Sequence, residues 1–332
     1  MPHAGALRPI GRNDVAAETV AGQYTAGAIG GKAVPGFGLA PSAEEHQVGV
    51  LGTCLTHIFE IEAAKAQYDR FPGYHAFFGR MSDQTVMLSE KLVEVSPFER
   101  GKVFYTNSGS EANDTMVKML WFLHRAEGKP ERRKILTRWN AYHGVTAVSA
   151  SMTGKPYNEV FGLPMDGFIH LTCPHYWREG NPGESEAEFV QRLARELETV
   201  IADEGADTIA GFFAEPVQGA GGVIPPVNGY FQAIAPIPKR HDIPLIADEV
   251  ITGFGRTGNT WGCQTYDFMP DAIISSKNLT AGFFPMGAVI LGPELSDRLD
   301  AAIREMRRRM DAARALAPTH PDIVLIATGE YR

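Results

Sequence analysis

From about residue 61 onward the apolar and polar positions of the chain fall into two alternating periods. Ile61, Ala63, Ala64 and Tyr68 recur at helical spacing before FPGYHAFFGR turns the chain. Ser82 or Asp83 stands where a cap is needed, ahead of a helix whose apolar face is Val86, Leu88, Leu92 and Val93 and which Ser96-Pro97 ends. Val103, Phe104 and Tyr105 predict a short strand. Asn107-Ser108-Gly109-Ser110 predicts a tight turn, and Glu111 onward a helix that packs through Ala112, Met116, Met119, Leu120 and Leu123. KILTRWN predicts the next strand, while ASMTGKPYNEVFGLP and LTCPHYWREGNPGES read as a long surface excursion. A helix from about Glu186 to Asp203 carries the stripe Phe189, Leu193, Leu197, Val200 and Ile201. Further strands run from Ile209 to Ala214, from Ile243 to Asp248 and from Asp271 to Ser276, with a short helix from Tyr230 to about Ala235. Strands alternating with helices predict an α/β fold with a mostly parallel, doubly wound sheet. The loops after those strands fall on its carboxyl edge, where open sheets bind ligands.

Composition narrows the class. At 332 residues with 44% hydrophobic, the chain buries a substantial core. A net charge of -8, from 39 acids against 31 bases, argues against a nucleic-acid binder. Cys54, Cys173 and Cys263 have no CxxC or other metal-ligand spacing, so neither a disulfide scaffold nor a metal site is expected. No run approaches the roughly 18 apolar residues of a membrane span, and the start MPHAGALRPIGRND lacks the apolar core of a signal peptide. The expected location is cytoplasmic, with no membrane partner.

The chemistry gathers at strand ends. A strand, the Ser108-Gly109-Ser110 turn and a helix make an anion cradle, because first-turn amides and the helix dipole favour negative charge; a serine there is equally what an N-cap requires. Tyr142 and His143 follow the KILTRWN strand, and Tyr142 is placed either to lie over a planar ring or to fill the core. Glu215-Pro216 closes the next strand, and Pro216 keeps Glu215 extended. Asp248 closes another and Lys277 another. Gly253-Phe254-Gly255-Arg256-Thr257-Gly258 matches GxGxxG, but the following NTWGCQTYDFMPD has no helical period, which removes the dinucleotide reading. An amine nucleophile, an acid, a flat aromatic and an anion cradle fit pyridoxal 5'-phosphate (PLP).

With those residues in place, TNSGSEAND, NAYHG, FFAEPVQGAGG, IADEVITGFGRTG and ISSKNLTAGFFPMGAVILG resemble the class III PLP-dependent aminotransferases of fold type I. GYHAFFGR, SGSEANDTMVKMLWFLH and NLTAGFFPMGAV look most like the amine:pyruvate, or ω-amino acid, branch. The resemblance implies that Lys277 is the Schiff-base lysine and proton carrier and that Asp248 pairs with the pyridine nitrogen. It implies that Tyr142 stacks on the ring, Val250 packs against its other face, Ser108, Gly109 and Ser110 take the phosphate, and His143 and Glu215 line the cofactor pocket. Tyr74, Phe77, Phe78 and Tyr142 would form an aromatic wall for a hydrophobic amine. Ile251 stands where other branches have a Gln, which again favours the amine:pyruvate side. The implied activity is transfer of an amino group from a hydrophobic primary amine or ω-amino acid to a keto acid such as pyruvate, in two stages, by a homodimer. A relative using the same lysine for decarboxylation, racemisation or an aminomutase reaction, or a catalytically impaired scaffold fragment, is the alternative.

The likeness runs from about Ala63 to Leu299 and sets the expected organisation. Residues 1–60, rich in Gly, Ala and Pro, form an N-terminal arm; 61–299 form the PLP-binding large domain; 300–332 are a truncated remnant of the C-terminal small domain. The cluster Arg304, Arg307, Arg308 and Arg309 is read either as a solvated helix face or as a carboxylate binder.

Overall fold

The computed structural model describes residues 60–73 and 80–316. Its contacts divide the chain after Gly73 into two units. In the first, residues 60–70 are helical, in keeping with the spacing that begins at Ile61. The arm expected over residues 1–60 lies almost wholly outside the described residues, and so do the aromatic positions Tyr74, Phe77 and Phe78.

The second unit is built on a seven-stranded sheet. Helix α1, Asp83–Val95, opens on Ser82, whose hydroxyl accepts the Thr85 amide; of the two cap candidates, serine serves. Strand β1, Lys102–Thr106, leads through Ser108 into α2, Gly109–Ala126. β2 is Lys134–Arg138, α3 Ala147–Met152 and β3 Phe168–Leu171. α4, Glu186–Glu204, starts with a capping box in which Ser185 and Glu188 satisfy each other's backbone donors. β4 is Ile209–Ala214, α5 Tyr230–Ile234, α6 Pro236–Arg240 and β5 Leu245–Asp248. β6, Ala272–Ser275, and β7, Gly287–Leu291, complete the sheet, and α7 spans Pro293–Leu316. That helix runs without a break through residue 300, and Leu295, Leu299 and Ala302 pack into the core from it.

The strand order is β1-β7-β6-β5-β4-β2-β3. β6, β5, β4, β2 and β3 are mutually parallel, and β7 is antiparallel to both its neighbours. β1 therefore points the same way as β6, and six of the seven strands share one carboxyl edge. Alternation along the strands divides the core into two layers. Ile135, Ala210, Phe213, Ile246, Ile274 and Val289 pack under α2 and α7. Leu136, Phe212, Ala247, Ile273 and Ile290 pack under α4 and α5. Every residue of β4 to β7 is buried, as a sheet covered on both faces requires. Each such Leu, Ile or Phe contributes about 1.5–3 kcal/mol.

One expectation is corrected. The excursion begins inside α3, whose Ala150, Ser151 and Met152 are buried, and the edge strand β3 runs from the gap between its two stretches into the second. The helix is six residues of mostly small side chains and the strand is four residues long, so neither spans enough of a period to show in the sequence.

Candidate active site

Turns leaving β1, β2, β4, β5 and β6 at the shared carboxyl edge converge on a solvent-open cleft with ≈ 530 Å³ of empty volume. Gly109, Ser110, Tyr142, Glu215, Asp248, Val250 and Lys277 all line it, with His143 beside them. These residues, singled out from motifs far apart in sequence, are brought together by the topology. Ser108 is not among the lining residues; its hydroxyl caps α2 by accepting the Glu111 amide at 3.2 Å. A larger groove of ≈ 980 Å³, beside β1, α2 and α7, is lined mainly by apolar side chains such as Val103, Phe104, Met119 and Leu299 and gathers no comparable chemistry.

The anion end is the start of α2. The amides of Gly109 and Ser110 lie in its first turn, where no intrahelical acceptor exists, and the helix dipole adds to their pull. A Cβ on Gly109 would stand 3.0 Å from Val250 Cγ2, so the bare backbone is what lets the turn approach Val250. The Ser110 hydroxyl accepts the Val145 amide at 3.1 Å, fixing the turn to the segment that carries Tyr142.

Asp248, at the end of β5, is 3% exposed. Its Oδ2 meets His143 Nδ1 at 2.7 Å and accepts from Asn113 Nδ2 at 2.9 Å. Among the described residues its Oδ1 accepts only the Val250 amide, at 3.1 Å, which leaves that oxygen with capacity for a further donor. His143 is held in turn: Thr137 Oγ1 lies 3.1 Å from its Nε2, and Thr153 Oγ1 accepts its amide. His143 lines the cleft, and its ring is seated against Asp248.

Glu215 is also buried, and each of its carboxylate oxygens holds a loop. Oε1 accepts the Tyr142 amide at 2.9 Å and Oε2 the Gly219 amide at 3.1 Å. Burial pushes its pKa above the ordinary value and the charge of Asp248 adds to that, while His143 opposes it. Lys277 is solvent-exposed, and its Nζ makes no hydrogen bond or ion pair among the described residues. Its backbone sits at φ 40°, in the left-handed region that costs a non-glycine residue about 1–2 kcal/mol. Strain of this kind clusters at functional sites.

These donors suit the PLP implied by the sequence. The cleft offers a helix N-terminus for a phosphate, a buried carboxylate with a spare lone pair for a pyridinium, and an uncommitted amine for a carbonyl. Among the described residues no group of His, Cys, Asp and Glu is arranged to hold a metal ion, and no helix is long and apolar enough to cross a membrane.

Two residues of this constellation lie inside stretches quoted above without being site candidates: Asn113, in TNSGSEAND, and Thr137, in KILTRWN. Both are fully buried. Asn113 shares its face of α2 with Met116, Val117 and Leu120, all buried, and a polar residue at a position whose i+3, i+4 and i+7 neighbours are apolar is the available signal. Thr137, inside a short strand, gives none.

Comparison with known proteins agrees with this geometry. Residues 47–302 match the family model described as Aminotransferase class-III. A probable gamma-aminobutyrate transaminase 3, mitochondrial, of Oryza sativa subsp. indica is 47% identical over 239 residues, which cover 71% of this chain and 47% of that protein. Gamma aminobutyrate transaminase 3, chloroplastic, of Solanum lycopersicum is 46% identical over the same share of this chain. Among solved structures, an omega-aminotransferase from Paracoccus denitrificans superposes with a TM-score of 0.74 at 83% identity, covering 75% of this chain and 55% of that one. The PMP-bound form of an aminotransferase from Vibrio fluvialis does so with a TM-score of 0.74 at 82% identity, with the same coverage. The chain spans about half the length of the relatives it matches.

Proposed function

Because the chain belongs to the class-III aminotransferases, we propose that it is a PLP-dependent transaminase moving an amino group from a hydrophobic primary amine or ω-amino acid to a keto acid such as pyruvate. The observation that carries this reading is the convergence of Asp248, Lys277 and the Gly109-Ser110 turn on one cleft. Bound there, PLP supplies an electron sink for the substrate carbon and a temporary carrier for the amino group.

The protein's own residues supply the rest. Gly109 and Ser110 hold the phosphate at the α2 N-terminus. Asp248 keeps a proton on the ring nitrogen through its free Oδ1 capacity. Tyr142 and Val250, which both line the cleft, would hold the ring between them. Lys277 Nζ, uncommitted to any described partner, would be the amine that holds the cofactor by its carbonyl and the base that moves a proton at the substrate carbon. Glu215 keeps Tyr142 and the Gly219 loop in place through its two backbone bonds.

The proposed preference for amines over other donors rests on Ile251, which lines the cleft and presents no hydrogen-bonding atom there, and on the omega-aminotransferase named among the solved relatives. The aromatic wall of Tyr74, Phe77 and Phe78 belongs to the same proposal and lies outside the described residues. A homodimer and a cytoplasmic location complete it. The exposed Val145, beside the cleft-lining Gly144, and the exposed Val223 are apolar surface of the kind a second subunit covers.

Incubation of the full chain and PLP with an aryl-alkyl amine and pyruvate tests this reading. Alanine formation with parallel-line initial-rate plots supports two-stage transamination. Release of carbon dioxide, racemised substrate or no product contradicts it.

A further inference from the structure

A single carboxamide joins the three parts of the cleft. Asn113 is fully buried in α2, four residues beyond the start of the helix. Its Nδ2 donates to His143 O at 2.9 Å, to Asp248 Oδ2 at 2.9 Å and, at a longer 3.2 Å, to Gly109 O. One of those partners belongs to the anion turn, one to the segment of Tyr142 and His143, and one is the acid itself. All three are acceptors, so the orientation of the amide is settled: a flipped side chain would set its oxygen against two carbonyls and a carboxylate. The other amide atom, Oδ1, is buried without a partner among the described residues. A buried polar residue in an apolar helix face calls for an explanation, and here the three acceptors its donor joins supply one.

We infer that Asn113 is a positioning residue for the cofactor, fixing the Asp248 carboxylate relative to the anion turn and the ring-covering segment. This rests on the PLP reading of the cleft. The effect runs through Oδ2. With Asn113 and His143 both bonded there, the carboxylate cannot rotate without breaking two buried bonds, and Oδ1 is the oxygen left to receive the pyridinium. The same amide keeps the acid at one distance from the helix N-terminus that takes the phosphate, so the two ends of the cofactor are held by one rigid unit. An aspartate at this position is nearly isosteric but turns the donor into an acceptor, directly against Asp248. On protonation it regains a donor hydrogen.

The test is PLP titration of the full chain, followed by absorbance, for the wild type, Asn113→Ala, Asn113→Asp, Asp248→Asn and the Asn113→Ala/Asp248→Asn pair. Loss of one hydrogen bond to a charged group is expected to weaken PLP binding by roughly tenfold in Asn113→Ala. The same change in the Asp248→Asn background is expected to cost under about twofold, because the group through which it acts has lost its charge. Asn113→Asp, whose new carboxyl is raised above the ordinary Asp value by burial beside Asp248, is expected to bind PLP with an affinity that, relative to wild type, falls about tenfold as that carboxyl ionises between roughly pH 5 and pH 8. A purely structural role would make the alanine penalty equal in both backgrounds and leave the Asn113→Asp profile parallel to wild type, and either result overturns the inference. If Asn113→Ala does not fold, the Asn113→Asp profile decides alone. A wild-type chain that binds no PLP removes the cofactor reading itself, and this inference with it. A wild type that binds normally beside indifferent Asn113 variants removes only the inference.

Discussion

His143 Nδ1, from the turn after β2, and Asp248 Oδ2, at the end of β5, meet at 2.7 Å in a setting where each residue is at most 3% exposed. The chain of partners behind them specifies where the hydrogens lie. Thr137 donates its hydroxyl hydrogen to Met152 O at 3.0 Å, so its oxygen can only accept from His143 Nε2. Nε2 thus carries a hydrogen, and a second one must occupy the short contact to Asp248, where two bare acceptors would repel.

His143 is accordingly expected to support the acid that faces the cofactor. His143→Ala removes a hydrogen bond to a charged group, worth about 1.5–3 kcal/mol. PLP affinity should fall roughly ten- to a hundredfold, with Thr137→Val giving a smaller loss in the same direction. Equilibrium titration of PLP into each variant checks this; unchanged affinity in His143→Ala would mean that the contact supports nothing at the cleft.

The neighbouring acid, Glu249, has a different task. It is 1% exposed and accepts the amides of Gly262 and Cys263 at 2.9 and 2.7 Å, together with the Thr252 hydroxyl. These bonds close the glycine-rich loop that follows β5. Glu249→Ala leaves two buried amides without partners and should destabilise the fold by about 3 kcal/mol or more. Urea denaturation with an unchanged m-value is the measurement, and a loss below about 0.5 kcal/mol would place the loop under other control.

Acid sensitivity should trace partly to His170. Its ring stacks on Trp139 at 4.7 Å, and burial lowers its pKa from 6.5 to about 4. A depressed folded-state value means that its contribution to stability is complete above about pH 6.5 and is lost as pH falls through about 4. His124, buried and bonded through Nε2 to Ala210 O, is shifted the same way by burial. The urea midpoint of His170→Gln should therefore fall less steeply than wild type between about pH 6.5 and pH 4. Parallel curves for the two proteins would contradict this.

Much of the cleft was legible in the sequence because strands that end on an acid or a lysine announce their own termini. Glu215, Asp248 and Lys277 each close an apolar run, and a parallel sheet leaves those ends on one edge. The decoy GxGxxG was separable for a similar reason: residues 251–260 form turns and bends instead of the helix that a dinucleotide fingerprint requires. Other features are written in three dimensions only. The antiparallel insertion of β7 between β1 and β6 follows from long-range pairing, and no local pattern encodes it. Ser108 looked like part of the anion turn, yet a serine at that position serves cap and cradle by the same hydroxyl, and the cap holds it. Two of the three partners of Asn113 are 30 and 135 residues away, so its role could be suspected only from its misplaced polarity on an apolar helix face.

The central claim is that Lys277 and Asp248 address one PLP molecule, and a spectrum tests it most directly. Adding PLP to the purified full chain should produce the visible band of lysine-bound cofactor. That band should vanish in Lys277→Ala and persist, with weakened affinity, in Asp248→Asn. A wild-type chain with no such band, or a band that survives in Lys277→Ala, would contradict the account.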